Sequence, residues 1–242
     1  LKSENPFEKQ NELYSKILGR EVNLYTKIEA TSTENSDSLK QWSVTVPASS
    51  IGYLYINKDT TAGSYWPVTL TIDQRAIENE AWRFDNNIRQ ITDASDAPSQ
   101  HVVSIGVAEG YTDMPQDNEP VFYALNLDVF EQIMNELKTS EFVPTVFKDG
   151  RIEGEFIAKD DDNLLLSVPY DEGWNVTVNG TAAELTPAAD KGLSSLNIQK
   201  GANRIVMTYK TPGALAGLAV SLATAAALVA AGLFTRHKKS RR

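Results

Sequence analysis

The sequence has 242 residues, with 23 lysines and arginines against 32 acidic residues, and a net charge of −9 at pH 7. That balance argues against nucleic acid as a partner, and the absence of cysteine excludes a zinc thiolate site and a cysteine nucleophile. The length suits one or two domains that rely on a hydrophobic core rather than on disulfides.

The first predicted element is a helix over "NPFEKQNELYSKILG": Asn5 can cap it, Pro6 fits its first turn, and Glu8 completes a capping box. Leu13, Tyr14, Ile17 and Leu18 would form its apolar face, and Gly19 its stop. Residues 30–38, "ATSTENSDS", read as a polar loop. Strand signals follow. Trp42, Val44 and Val46 alternate with polar residues, "IGYLYIN" reads as a strand covered on both faces, and Trp66, Val68, Leu70 and Ile72 alternate again. Val103, Ile105 and Val107 do the same, "AEGYTDMPQDNEP" reads as a long rim loop, and "VFYAL" closes this half. The period then changes: "LDVFEQIMNELK" puts Phe130, Ile133, Met134 and Leu137 on one helical face, with Asp128 and Glu131 spaced as a capping box.

A second β region starts with Ile152, Gly154 and Phe156 in alternation, then the apolar strand "NLLLSVP". Trp174, Val176 and Val178 alternate into Asn179-Gly180, the strongest two-residue hairpin signal. Leu196 and Ile198 precede a turn around Gly201, and Ile205, Met207 and Tyr209 mark the last strand. Short strands at this spacing predict antiparallel sandwiches.

From Gly213 to Thr235 there are 23 residues without charge. As a helix they would span about 34 Å, enough for a hydrocarbon core of about 30 Å. Pro212 suits the first turn of that helix. Arg236, His237, Lys238, Lys239, Arg241 and Arg242 follow, and clustered basic residues stay on the cytoplasmic side. Residues 1–211 are therefore expected outside the cytoplasm, carrying 18 basic and all 32 acidic residues, a net charge of −14 that argues against direct adhesion to anionic lipid. The chain opens on Leu1 without a signal peptide, so an upstream segment is expected to supply export. The span holds five Leu, two Val and one Phe among Ala and Gly. Those large residues contribute only roughly −2 to −5 kcal/mol to insertion, which is thin for a lone anchor. Gly213, Gly217, Ser221 and Ala225 recur every four residues, a small-residue stripe that predicts packing against other membrane helices.

Few constellations carry chemistry. The two histidines, His101 and His237, are far apart, so neither a Ser-His-Asp set nor a two-His metal site is expected, and no phosphate loop follows a strand. "KDDDN" (159–163) reads either as a calcium loop or as a solvated hairpin turn. "NVT" and "NGT" match the N-glycosylation pattern, the second overlapping a tight turn. Acid pairs such as Asp113 with Asp117, or Asp171 with Glu172, are candidates for acid–base work or for exposed loop charge. Trp66, Trp82, Tyr170 and Trp174 lie at strand ends or in loops. There, with Asp171, they would form a platform for the apolar face of a sugar, or else pack in the core as the phase of Trp174 with Val176 and Val178 suggests. No metal and no cofactor is expected.

At "LLLSVPYDEGWNVTVNGTAAEL" and on through "LSSLNIQKGANRIVMTYKTPGALAGLAVS" the sequence resembles the carboxy-terminal part of the bacterial YfhO membrane-protein family. The shared features are an apolar strand, a Pro-Tyr-Asp-x-Gly-Trp turn, an Asn-Gly hairpin, a Lys-Gly turn, a strand ending in Tyr, a Pro-Gly and a last membrane helix. "NPFEKQNELYSKILG" and "FYALNLDVFEQIMNELK" also look like family segments, whereas "LTIDQRAIEN" departs from a pattern in which a strand turns at Asn-Gly. The resemblance implies a polytopic protein with a membrane-embedded glycosyltransferase-like part of the GT-C kind. That part is linked to decorating lipoteichoic acid or a related wall polymer from a polyprenyl-phosphate sugar. Its catalytic acid is expected in an early outer loop upstream of Leu1, so the resemblance transfers no catalytic residue to this chain. The implied partners are the upstream transmembrane helices of the same protein and the wall polymer or lipid-linked sugar. A Gram-positive cell surface is the expected setting. The alternative is a non-enzymatic surface module, glycan-binding or scaffolding, on a single anchor.

The expected architecture is mainly β: two tandem antiparallel, jelly-roll-like β-sandwiches with short helices and one C-terminal transmembrane helix. Its expected parts are an N-terminal helix and connector (1–29), a first sandwich with a closing helix (30–140) and a second sandwich (141–211). A membrane helix (212–235) and a cytoplasmic basic tail (236–242) complete the order.

Overall fold

The computed structural model describes residues 1–56, 68–78, 88–110, 112 and 119–240, with 232–240 described by their backbone alone. The chain forms two compact units, Leu1–Lys138 and Thr139–Arg242.

In the first unit, helix α1 (Pro6–Leu18) is capped by Asn5, whose side chain accepts the Phe7 and Glu8 N–H groups at 3.0 and 3.3 Å. Gly19 ends the helix in the left-handed region at φ 64°, where a side chain would be strained. The inward face is Phe7, Asn11, Tyr14 and Leu18; Ile17, expected there, is 37% exposed. Asn11 binds both backbone groups of Tyr25, donating to its carbonyl at 2.7 Å and accepting its N–H at 2.8 Å. A side-chain amide thus replaces a neighbouring strand at a sheet edge.

Among the described residues nine strands follow: β1 (Tyr25–Ile28), β2 (Ala30–Asn35), β3 (Leu39–Val46), β4 (Ser50–Tyr55), β5 (Val68–Ile72), β6 (Arg75–Glu78), β7 (Ile88–Thr92), β8 (Ser99–Val107) and β9 (Val121–Asn126). Two antiparallel sheets, ordered β1-β9-β4-β7 and β2-β3-β8-β5-β6, enclose Trp42, Val44, Leu54, Leu70, Ile105 and Phe122. Two expectations change here. Residues 30–35 form an edge strand rather than a loop, because pairing to β3 uses backbone groups and leaves its polar side chains in water. The stretch before residue 30 is more than a connector, since β1 pairs with β9.

Helix α2 (Leu127–Lys138) completes the unit. Its cap is Asn126, whose carboxamide oxygen accepts the Asp128 and Val129 N–H groups at 3.0 and 3.1 Å, in place of the expected Asp128–Glu131 box. Ile133 is its buried residue, flanked by Val129, Met134 and Leu137, whereas Phe130 is 40% exposed.

The second unit contains β10 (Val143–Lys148), β11 (Arg151–Ala158), β12 (Asp162–Leu166), β13 (Trp174–Val178), β14 (Thr181–Ala183), β15 (Leu185–Ala188), β16 (Leu193–Ile198) and β17 (Gly201–Tyr209). Sheets ordered β10-β11-β17-β13-β14 and β12-β16-β15 enclose Phe156, Leu164, Val176, Leu196, Ile205 and Met207. Asn179 and Gly180 turn β13 into β14 with φ 52° and 80°, as a two-residue hairpin of this hand requires.

Helix α3 (Ala214–Ser240) follows, and its stretch Ala214–Ala231 is long and apolar enough to cross a membrane, with none of it buried by the protein. Pro212 and Gly213 do not begin it. They form a turn closed by the Ala214 N–H on the Thr211 carbonyl at 3.2 Å, with Gly213 at φ 76°. Gly213 therefore precedes the helix and serves this turn, while Gly217, Ser221 and Ala225 share one exposed helical stripe. Ser221 and Thr224 donate to the carbonyls of Gly217 and Val220, each at 2.9 Å, so these hydroxyls need no water. The protein is mainly β, with antiparallel sandwiches, short helices and one apolar C-terminal helix.

Candidate functional site

Of the expected platform residues, Trp66 and Trp82 lie outside the described residues, as do Asp113 and Asp117. Tyr170, Asp171 and Trp174 are brought together where the last strand ends. Trp174 pairs in register with Tyr209, and the rings meet edge to face at 5.1 Å and 63°. Both Tyr170 and Trp174 pack, partly buried, against the core of the second unit, in line with the phase of Trp174 with Val176.

The turn before Trp174 is tied tightly. The Asp171 carboxylate accepts the Gly173 N–H at 2.7 Å, the Asp171 carbonyl accepts the Trp174 N–H at 3.2 Å, and the Gly173 carbonyl accepts the Lys210 N–H at 2.9 Å. A Cβ on Gly173 would stand 2.6 Å from the Lys210 carbonyl oxygen and 2.6 Å from the Tyr209 ring, so only glycine fits. Partial burial, then the hydrogen bond to Asp171, holds the Tyr209 phenol above its ordinary value. Asp171 is thus committed to this corner, while Glu172 beside it is exposed. Tyr209 belongs to the cluster although sequence reasoning assigned it only to the last strand. What could have found it is the strand register, which pairs the first residue of β13 with the last of β17.

The expectation that no Ser-His-Asp set can be built is corrected by the structure. His101 Nδ1 lies 2.7 Å from Asp73 Oδ2, and His101 Nε2 lies 2.8 Å from Ser99 Oγ. Residues 73, 99 and 101 meet because β5 pairs with β8. Spacing in sequence could not show this, since Asp73 comes from the next hairpin. The arrangement acts as a clasp on the Asp73–Gln74 turn. Asp73 Oδ1 also accepts the Val102 N–H at 2.8 Å, and the Asp73 N–H donates to the Val102 carbonyl at 2.8 Å. Partial burial raises the Asp73 carboxyl, but the hydrogen bonds from His101 and Val102 outweigh it and hold it below the ordinary carboxylate value.

Among the described residues, no group of three His or acidic side chains is placed to hold a metal. In "KDDDN" the Asp161 carboxylate accepts the Lys200 N–H at 2.7 Å and Asp160 faces the Lys200 ammonium at 3.4 Å, so the loop ties two turns together.

A family model described as bacterial membrane protein YfhO matches residues 1–221. Among curated proteins, one from Bacillus subtilis (strain 168) described as "Uncharacterized protein YfhO" is 24% identical over 142 residues, which are 59% of this chain and 16% of that protein. The chain therefore matches a small part of that relative's length. Among solved structures, similarity extends to a Paenibacillus cycloisomaltooligosaccharide glucanotransferase complexed with cycloisomaltoheptaose. It has 8% identity and a TM-score of 0.26, covering 77% of this chain and 45% of that one. A cupin 2 conserved barrel domain protein from Leptotrichia buccalis has 11% identity and a TM-score of 0.18, covering 76% of this chain and 89% of that one. Likenesses at these scores carry no argument.

Proposed function

The chain belongs to the YfhO family of bacterial membrane proteins, and from that premise we propose that it is the outer part and a closing membrane helix of a larger polytopic protein. In this reading the whole protein moves a sugar from a polyprenyl-phosphate donor to lipoteichoic acid or a related wall polymer. Residues 1–211 stand outside the cell and help to place the acceptor, and the basic residues of 236–242, at the end of α3 and beyond, stay in the cytoplasm. The observation that carries the reading is the continuity of the family match through both units and into the apolar helix. The exposed stripe of Gly217, Ser221 and Ala225 is the face offered to neighbouring membrane helices of the same protein.

Position over the membrane is the testable core of this reading. Inserting ten Gly/Ser residues after Lys210 in the whole protein would add roughly 17 Å of reach. Polymer glycosylation should fall while the protein stays folded and inserted; unchanged glycosylation would refute a positioning role. Leucine at Gly217 and Ser221 separates the bundle from the lone anchor of a non-enzymatic surface module. A bundle helix loses assembly with those substitutions, and a lone anchor tolerates them.

A further inference from the structure

Every tyrosine and tryptophan of the second unit lies at one end of it. Strand register puts Trp174 opposite Tyr209 and Arg151 opposite Thr208. The hairpin tip at Gly150 therefore joins the same end, its carbonyl accepting the Tyr209 N–H at 2.8 Å. The Tyr170 N–H donates to the Lys191 carbonyl at 3.1 Å, which brings a turn of the other sheet there too. Phe147, one residue before Lys148 on the edge strand β10, is 77% exposed although its ladder partner Ile152 is buried. The facing sheet has three strands against five, and its cover does not reach this ring. Lys148, Arg151, Lys191 and Lys210 nearly balance Asp149, Glu153, Asp171, Glu172 and Asp190 at this end, unlike the net −14 of residues 1–211 as a whole. The opposite end, where Asp160 and Asp161 meet Lys200, has no aromatic residue in its turn 159–162 and three aspartates.

We propose that this aromatic end of the second unit docks on the phospholipid headgroups of the membrane that α3 crosses. The proposal rests on reading α3 as a membrane span. Only Lys210–Gly213 separate β17 from α3, and four residues reach at most about 14 Å even when extended. Part of that reach is folded into the Pro212–Gly213 turn. The headgroup layer on each side of the hydrocarbon is roughly 5–8 Å deep, so the end that bears Tyr209 stands in or against it. Tryptophan and tyrosine are the side chains that favour this layer, with a ring on the apolar side and a polar group in water. Lysines beside them reach anionic headgroups while their stems lie along apolar surface. The contact is local, because the rest of the outer surface is acidic and anionic lipid repels it.

The absence of cysteine makes site-specific labelling direct. Lys148→Cys, Asp161→Cys and Leu222→Cys would each carry an environment-sensitive fluorophore. The 242-residue chain would be reconstituted in phosphatidylcholine/phosphatidylglycerol vesicles containing lipids with nitroxide on the headgroup or on the acyl chain. The expected result is headgroup quenching at position 148, none at 161, and acyl-chain quenching at 222. Phe147→Ser, at an exposed position that folding does not need, should weaken the quenching at 148 and leave that at 222 intact. Quenching at 222 with none at 148, or equal quenching at 148 and 161, overturns docking while α3 still spans. No quenching at 222 overturns the span reading and this proposal with it.

Discussion

Tyr123 shows how one side chain makes the first unit sensitive to pH. Its ring stacks on Phe7 with centroids 4.6 Å apart, and its hydroxyl donates to the Glu8 carboxylate at 3.1 Å while accepting from the Asn5 amide at 3.1 Å. Burial first, then the hydrogen bond and charge of Glu8, push its pKa from 10.0 up to about 12. The phenol is neutral in both folded and unfolded chain below pH 10, so its contribution is fully present there. Between about 10 and 12 the unfolded chain releases the proton and the folded chain keeps it, so stability falls as pH rises. Thermal unfolding followed from pH 9 to pH 12 should show this decline, and Tyr123→Phe should lessen it. At pH 7 the same substitution should cost about 1 kcal/mol for the lost hydrogen bonds. A decline as steep in Tyr123→Phe as in the native chain would show that another group is its source. Tyr25, Tyr53 and Tyr55 are also raised, each by burial first, so the substitution removes part of the slope rather than all of it.

At the scale of elements, the hairpin from β5 to β6 is where local rules and the fold disagree. Its turn places Asp73 and Gln74 at φ 51° and 67°, a conformation that Asn-Gly adopts freely and glutamine does not. The clasp of His101 and the Val102 N–H on Asp73 offsets that strain from a neighbouring strand. Gln74→Gly should therefore stabilise the first unit by about 1 kcal/mol in a denaturant titration. A loss of stability would mean that the glutamine side chain holds something the backbone argument misses. The same contrast explains what could be read in the sequence. Alternating runs such as Trp42, Val44 and Val46 were legible because one face of each strand is buried, and Asn179-Gly180 was legible because its turn needs positive φ. Strand β2 was not, because an edge strand with solvated side chains carries no apolar period. The face of α2 differs at Phe130 because Val129, one turn before Ile133 on the same face, packs with it against Val22 and Leu24, which leaves Phe130 turned aside. Within the candidate site, the Tyr170–Trp174 turn was legible as a motif. Its partner Tyr209 and the Ser99–His101–Asp73 contact depend on pairing between strands distant in sequence.

At the scale of the whole molecule, each unit has hydrophobic clusters of its own among the described residues. The clusters around Leu54 and around Ile133 draw on residues 14–137, and the cluster around Leu196 draws on residues 142–207 with Phe142 and Trp174 at its margin. Each unit thus has the apolar interior that cooperative folding needs, and the bonds that close each sheet pair strands of one unit. Leu196 is the sharpest place to test this, being fully buried in the middle strand of the smaller sheet of the second unit. Leu196→Ala removes three side-chain carbons from a close-packed interior and should cost about 2–5 kcal/mol. The loss should fall on the second unit alone. In hydrogen exchange under native conditions, protection of the β11 and β17 amides should drop by that free energy, while the amides of β3 and β8 keep theirs. An equal loss in β3 and β8 would mean that the units unfold as one, and the separation of their cores would not describe how the chain is stabilised.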